Sequence, residues 1–293
     1  TDVFALPQLL VLLTVGLATY TYGHLRCPNM CICGMAIQNF YNMNQLTSHK
    51  TIVHNFYSKV LAMGDAQLAN TLIQDNYVQH SPLVETGKSG FLKFLEMLKK
   101  LPQPSEPSVP FFRTIAQGNL VAVHIGIEFM GQQKAVVDLF RIEDGQLAEH
   151  WDASEDVPDA RCNPLPMVEG PVCIEDQDLT DSNARIVRSF TEKVLIAGED
   201  LWLQYMSPDL IQHHPDLSNG ISSLPDYSME CKTNSLHQVI AEGNFVVTQA
   251  QATIQHRDFV LYNVYRLHEG VIVEHWSVKQ PIPTEMAHSN GMI

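Results

Sequence analysis

Positive charge is scarce in this chain: 18 Lys and Arg stand against 32 Asp and Glu, a net charge of -14 over 293 residues. Nucleic-acid binding is driven by basic side chains that displace counterions from phosphates, so nucleic acid is set aside as a partner. The acidic balance favours solubility and repels anionic lipid surfaces without naming a partner. No Asn-x-Ser/Thr acceptor is present, so glycosylation gives no clue to topology. Cysteine is limited to Cys27, Cys31, Cys33, Cys162, Cys173 and Cys231. The first three, with His24 as a fourth candidate ligand, follow a C-x3-C-x-C pattern that is not a usual structural-zinc spacing; disulfides, acylated thiols and free thiols are the alternatives. Cys162 and Cys173 bracket a loop that a disulfide between them could close. No cofactor motif stands out.

Long apolar runs are also rare, with one exception. Val3 to Tyr22 contains no ionisable group besides the Tyr phenols, and twenty helical residues rise about 30 Å, the thickness of a bilayer core. The run reads as a membrane-spanning or assembly helix. A secretory signal peptide would begin with basic residues and end in small ones, whereas Thr1-Asp2 precedes this segment and Thr19-Tyr20-Thr21-Tyr22 closes it. Tyr20 and Tyr22 suit a membrane interface, and Pro7 falls near the start, where a helix tolerates it. The expectation is membrane association by a single N-terminal segment, with secretory, extracellular and organellar compartments all open.

The rest of the chain repeats itself. NFYSKVLAMGD, DNYVQHSP, IAQGNLVAVH and VVDLFRIEDGQLAEHWD in the first half match SFTEKVLIAGED, PDLIQHHP, IAEGNFVVTQ and LYNVYRLHEGVIVEHWS in the second, in the same order. Ile52, Phe56, Val60 and Leu61, and likewise Ile186, Phe190, Val194 and Leu195, recur at helical spacing before Gly64 and Gly198. A short helix around residues 65–73 and a third over GKSGFLKFLEMLKKL follow, and Pro102, Pro104, Pro107 and Pro110 bar further helix. The period then changes to two: FRTIAQ, LVAVHIGIEF, KAVVDLFRIE and LAEHWDAS read as an antiparallel meander separated by Gly-Asn, Gly-Gln and Asp-Gly turns. Helices first and a curved sheet second, twice over, is an α+β architecture of two cone-shaped domains. The expected organisation is an apolar helix over 1–26, a Cys-containing connector over 27–46, domains over 47–157 and 180–283, a linker over 158–179 and an irregular tail over 284–293.

The motifs Tyr-Val-Gln-His-Ser-Pro at 77–82, Gly87-Lys88, and Val-Val-Asp-Leu-Phe-Arg through Glu-His-Trp-Asp at 137–152 resemble the SnoaL-like family. That family shares the nuclear-transport-factor-two-like fold with polyketide cyclases, scytalone dehydratase and ketosteroid isomerase. The resemblance runs from about Thr47 to Pro283, once per repeat. Strand alternation puts Asp138 on one face with Val136 and Phe140, and separates His150 and Asp152 from Glu149 and Trp151. A carboxylate on an apolar concave face has a raised pKa and can remove a proton next to a carbonyl. Carried over from the family, Asp138 is the acid/base of a cofactor-free closure, His80 and His150 polarise or orient the substrate carbonyl, and Asp152 orients His150. The plainer reading is that His80 braces its loop and that Glu-His-Trp-Asp is a hydrogen-bonded fold signature.

The second repeat departs where the chemistry sits. Asn263 replaces Asp138 and Ser277 replaces Asp152, while His213, His275 and Trp276 remain; Asn takes up no proton at neutral pH. Two functions follow. The favoured one is a non-catalytic accessory or scaffold subunit of a membrane complex or extracellular filament, with other protein subunits engaged through the N-terminal helix or the domain faces. The alternative is a membrane-tethered cyclase, isomerase or lyase acting on a small hydrophobic carbonyl compound in the first domain.

Overall fold

The computed structural model describes residues 30–101 and 112–293. The apolar run 3–22, His24 and Cys27 lie outside the described residues, and so do the side chains of Cys31 and Cys33. Helix α1 (Met30–Asn55) passes into one wider π-helical turn, Phe56–Leu61. Val53, Phe56 and Val60 are buried at helical spacing, and Gly64 at φ +69 breaks the chain's direction. Asp65 caps α2 (Ala66–Leu72), its side chain accepting from the Leu68 amide at 2.9 Å. Strand β1 (Ile73–Gln79), helix α3 (Gly87–Leu98) and strands β2 (Phe112–Gln117), β3 (Leu120–Phe129), β4 (Gln132–Glu143) and β5 (Gln146–Asp156) complete the repeat.

The expected meander holds for β2 to β5, but the sheet is mixed, in the order β1-β5-β4-β3-β2 with β1 parallel to β5. Strand β1 goes unread in the sequence because Asp75 and Asn76 are exposed in its middle while Ile73, Tyr77 and Gln79 face inward, which leaves no clean alternation.

The second repeat copies this plan. Helix α4 (Thr180–Phe190) runs into a π-helical turn, Thr191–Ile196, followed by α5 (Trp202–Tyr205), β6 (Met206–Gln212), α6 (Leu224–Glu230) and β7 to β10 (Cys231–Glu242, Phe245–Ile254, Arg257–His268, Val271–Pro281). Its sheet has the order β6-β10-β9-β8-β7, with β6 parallel to β10. The last hairpin of each repeat turns through two residues of positive φ, Asp144-Gly145 and Glu269-Gly270, the backbone that matches strand twist.

In each repeat the helices cover one sheet face. Val53, Phe56, Phe91 and Leu95 pack on Val121, Val123 and Phe140 in the first, and Val187, Phe190, Trp202 and Leu224 pack on Val246 and Tyr265 in the second. The opposite sheet faces pack against each other: Val137, Leu139, Trp151 and Ala153 meet Val247, Tyr262, Val264 and Trp276 in one shared core. Hydrogen bonds around that core run both ways. The Ala116 amide donates to Glu242 Oε2 (2.7 Å) and the Ala241 amide to Gln117 Oε1 (2.8 Å); the Ser154 amide donates to Gln280 Oε1 (2.8 Å) and the Lys279 amide to Glu155 Oε2 (3.0 Å). Such reciprocity defines a two-fold interface. Burying a large apolar side chain stabilises by about 1.5–3 kcal/mol and a neutral hydrogen bond by about 1, so apolar burial supplies the strength and the bonds fix the register.

The segments after each sheet are equivalent as well. Pro158 to Val168 docks on the second repeat: Cys162 N donates to Pro215 O (2.8 Å), Asn163 donates to Gln212 O, and His213 Nδ1 meets Pro166 O (2.7 Å). The tail docks on the first repeat in the same way: Ala287 N donates to Pro82 O (2.8 Å), Asn290 Nδ2 to Gln79 O (2.9 Å), and His80 Nδ1 meets Gly291 O (3.0 Å). Met167 and Met292 both join the shared core. The tail has no regular secondary structure, as expected, but it is a strap laid across the other repeat. The rest of the linker is fixed by Arg113, which is buried, stacks over Trp276 and donates to Pro171 O at 3.0 Å. Cys162 and Cys173 are both free and exposed, so the candidate disulfide is not formed; their loop is held by these backbone contacts instead. Among the described residues no helix is long and apolar enough to cross a membrane.

Candidate functional site

Asp138 lies mid-strand in β4 on the helix-covered face, directly opposite Asp152 of β5, with His150 two residues before Asp152. The π-helical turn brings Tyr57 over this point while Phe56 stays in the core against Phe91 and Phe140. A line of hydrogen bonds results. Tyr57 Oη donates to Asp138 Oδ2, Asp138 Oδ1 meets His150 Nε2 at 2.9 Å, and His150 Nδ1 meets Gln79 Oε1 at 2.9 Å. The His150 ring also stacks on Phe140, with centroids 4.7 Å apart.

The orientation of Gln79 decides where the protons are. Its Oε1 also accepts from the amides of His80 and Ser81, each at 2.9 Å, so the amide cannot be turned and must present its oxygen to His150. Nδ1 therefore carries a hydrogen, and Nε2 faces a carboxylate oxygen. One proton is shared between Nε2 and Asp138 Oδ1, either as an imidazolium with a carboxylate or as a neutral pair. Burial works to lower the His150 pKa, but the hydrogen bond and charge of Asp138, with the charge of Asp152, outweigh it and raise it. Asp152 is pushed up to about 6, first by burial and then by Asp138, with His150 opposing. Burial and the neighbouring Asp138 hold Tyr57 in its phenol form. The Asp138 and His150 side chains keep about one tenth of their surface exposed, 11% and 12%.

Three of the four residues expected from the sequence thus come together. Asp152 does so without orienting His150, whose two ring nitrogens are taken by Gln79 and Asp138; instead Asp152 Oδ2 accepts from Ser81 Oγ at 3.1 Å, and its Oδ1 is buried without a partner. His80 is not in the site. Its ring stacks on Trp151 at 4.8 Å, Nε2 meets Glu149 Oε1 at 2.9 Å, and Nδ1 is taken by the tail. His213 repeats this with Trp276, Glu274 and Pro166, so both repeats share the feature. Tyr57 and Gln79 also bond to this pair, and sequence reasoning missed both. One signal was available for Tyr57: it becomes Thr191 in the second repeat, changing together with Asp138 and Asp152.

In the second repeat the same frame carries no acid. Gln212 Oε1 accepts from the His214 amide (3.0 Å) and meets His275 Nδ1 (3.1 Å), and His275 Nε2 meets Asn263 Oδ1 (2.9 Å). Burial, with the nearby His213, lowers the His275 pKa to about 3, so the ring is neutral. Thr191 bonds back to Val187 O within its own helix. Among the described residues no group of three or more His, Cys, Asp or Glu side chains is arranged to hold a metal ion.

Residues 53–150 match the family model of the SnoaL-like domain. No curated protein matches the chain. Similar solved structures include TsrD from Streptomyces laurentii (19% identity, 37% of this chain and 89% of that one, TM-score 0.30) and IdmH from Streptomyces antibioticus (20%, 36% and 91%, 0.30). A third is an NTF-2-like protein of unknown function from Burkholderia xenovorans (16%, 40% and 89%, 0.32).

Proposed function

From the premise that residues 53–150 form a SnoaL-like domain, we propose that the first repeat is an acid/base site acting on a small hydrophobic carbonyl compound. The observation that carries this is the hydrogen bond between Asp138 Oδ1 and His150 Nε2, with Tyr57 on the second carboxylate oxygen. The Asp138 carboxylate takes a proton from the carbon next to the carbonyl. The electron pair moves onto the carbonyl oxygen as an enolate, and the same dyad returns a proton at a different atom. Isomerisation, elimination and intramolecular aldol closure all follow this course. Gln79 keeps Nδ1 protonated throughout, so the transferable proton stays on the Nε2 side. General acid/base catalysis of this type is worth roughly 10²–10⁴-fold.

The accessory reading is favoured for the second repeat by a specific observation, the neutral Asn263-His275 pair in place of an acid. The apolar run 3–22 would tether the pair to a membrane or to a partner subunit; resistance of the full chain to carbonate extraction from membranes tests that part.

The decisive experiment follows loss of α-protons in D2O by proton NMR across a panel of small apolar ketones and aldehydes. The full chain should exchange at least one of them above buffer, and Asp138→Asn should lose at least about 100-fold of that rate while melting as a folded protein. Exchange no faster in the wild type than in Asp138→Asn throughout the panel would sink the proposal.

A further inference from the structure

Tyr77 stands on β1 two residues before Gln79, and the two side chains share the inward face of that strand. Its ring packs edge-on to Phe91, with centroids 6.4 Å apart, and the residue is 1% exposed. Its hydroxyl is buried without a hydrogen-bond partner. Burial first, then the charges of Asp138 and Asp152, hold it in its phenol form, so it keeps its hydrogen. The neighbouring Gln79 amide cannot take that hydrogen. Its oxygen is given to His150 and to the amides of His80 and Ser81, and its NH2 only donates.

A buried hydroxyl left without a partner costs about 1–3 kcal/mol, and the fold does not require one here. The second repeat places Leu210 at the equivalent point of β6, equally buried. Tyr77 thus joins Tyr57, Asp138 and Asp152 among the polar groups that the second repeat lacks. Among the described residues of the site the other donors are spent: Tyr57 Oη on Asp138, Ser81 Oγ on Asp152, and the two nitrogens of His150 on Gln79 and Asp138. Asp152 Oδ1 is a second orphan, and above about pH 6 it carries no hydrogen to give. Loss of an α-proton leaves negative charge on the substrate oxygen, and a fixed donor aimed at that charge is worth most where water is excluded.

We propose that Tyr77 is the catalytic residue that receives the substrate carbonyl oxygen, its Oη–H donating to that oxygen and then to the enolate that replaces it. This rests on the acid/base reading of the first repeat. Asp138 holds the α-proton while Tyr77 holds the oxygen, and the phenol keeps its own hydrogen throughout, so it steadies charge without exchanging a proton.

The test uses the full chain and two readouts. In the first, α-proton exchange in D2O is followed by proton NMR on the ketone that the wild type exchanges fastest. Tyr77→Phe should lower kcat by at least about 100-fold with KM within about threefold. In the second, butanone labelled with carbon-13 at the carbonyl is titrated into the wild type and into Tyr77→Phe, and the bound carbonyl carbon should resonate downfield in the wild type because only there does its oxygen accept a hydrogen bond. Exchange in Tyr77→Phe within threefold of the wild type, with Asp138→Asn inactive, overturns the role of Tyr77 and leaves the acid/base reading standing. A bound carbonyl that resonates alike in both chains, or butanone that binds neither, overturns it as well. No exchange in the wild type together with the expected carbon shift removes the acid/base reading and retains Tyr77 as the carbonyl donor. Should Tyr77→Phe fail to fold, Tyr77→Leu, the residue that the second repeat already carries at this point, takes its place in both readouts.

Discussion

Two carboxylates opposite each other on neighbouring strands cannot both be ionised cheaply, and Asp152 bears that strain. Folded, it holds its proton up to about pH 6, against an ordinary value of 3.8. The folded state therefore binds more protons than the unfolded state within that window, and stability falls as pH rises through it. The full difference is on the order of 3 kcal/mol. Asp152→Asn should thus raise the melting temperature at pH 7 and change it little at pH 4; equal shifts at both pH values would show that Asp152 is ionised throughout. His150 behaves with the opposite dependence on its partner. Its raised pKa comes from Asp138, so its stabilisation is present below the unfolded value of 6.5 and is lost as pH rises through the folded one. Tyr57→Phe removes a donor from Asp138 and should slow exchange by roughly 10-fold or more without loss of fold, measured as initial rates on the best ketone. The motifs made Asp138 and His150 legible through the family resemblance, although β4 is buried on both faces around Asp138 and shows no plain alternation there. Tyr57 was hidden because Phe56-Tyr57 sits in an amphipathic run that reads as core, and only the π-helical turn separates the roles of the two rings. Gln79 was hidden because an amide's role depends on which way it is held.

Among the elements, the strap formed by the tail acts on the site at one remove. Asn290, Gly291 and Ala287 hold the loop 79–82, and Gln79 in that loop fixes the His150 tautomer. A chain ending at residue 283 should lose about 10-fold or more in exchange rate, since displacements of an ångström are costly at reacting groups. Asn290→Ala should slow exchange as well, whereas Asn163→Ala, the matching change in the strap that covers the second repeat, should leave the rate within about twofold, all read by the same NMR assay. Helices, hairpins and the duplication itself were legible because 3.6- and 2-residue periods and Gly turns are local. The parallel strand β1 and both straps were not, because their backbone partners lie on distant or opposite parts of the chain and their own side chains show no period.

For the molecule as a whole, the buried face between the sheets predicts that the repeats unfold together. Calorimetry should give one transition, and coexpressed halves covering 43–168 and 170–293 should copurify one to one. Glu242 ties this face to α1 as well: it accepts from Ala116 N and pairs with Lys50 at 2.6 Å. Glu242→Ala should cost about 1–3 kcal/mol by leaving a buried amide unpaired, measured by denaturant unfolding; two separate transitions in the wild type would contradict the shared core.

The bonds exchanged in both directions across that face have a historical consequence. An association of identical subunits must accept every substitution twice, so an acid needed in one copy is kept in the other. Joining the copies end to end lifts that obligation. The differences Asp138 to Asn263, Asp152 to Ser277 and Tyr57 to Thr191 lie inside the cones, while the self-complementary face and the straps keep their pattern, so a tandem chain is free to differ in what each half holds and constrained only in how the halves meet.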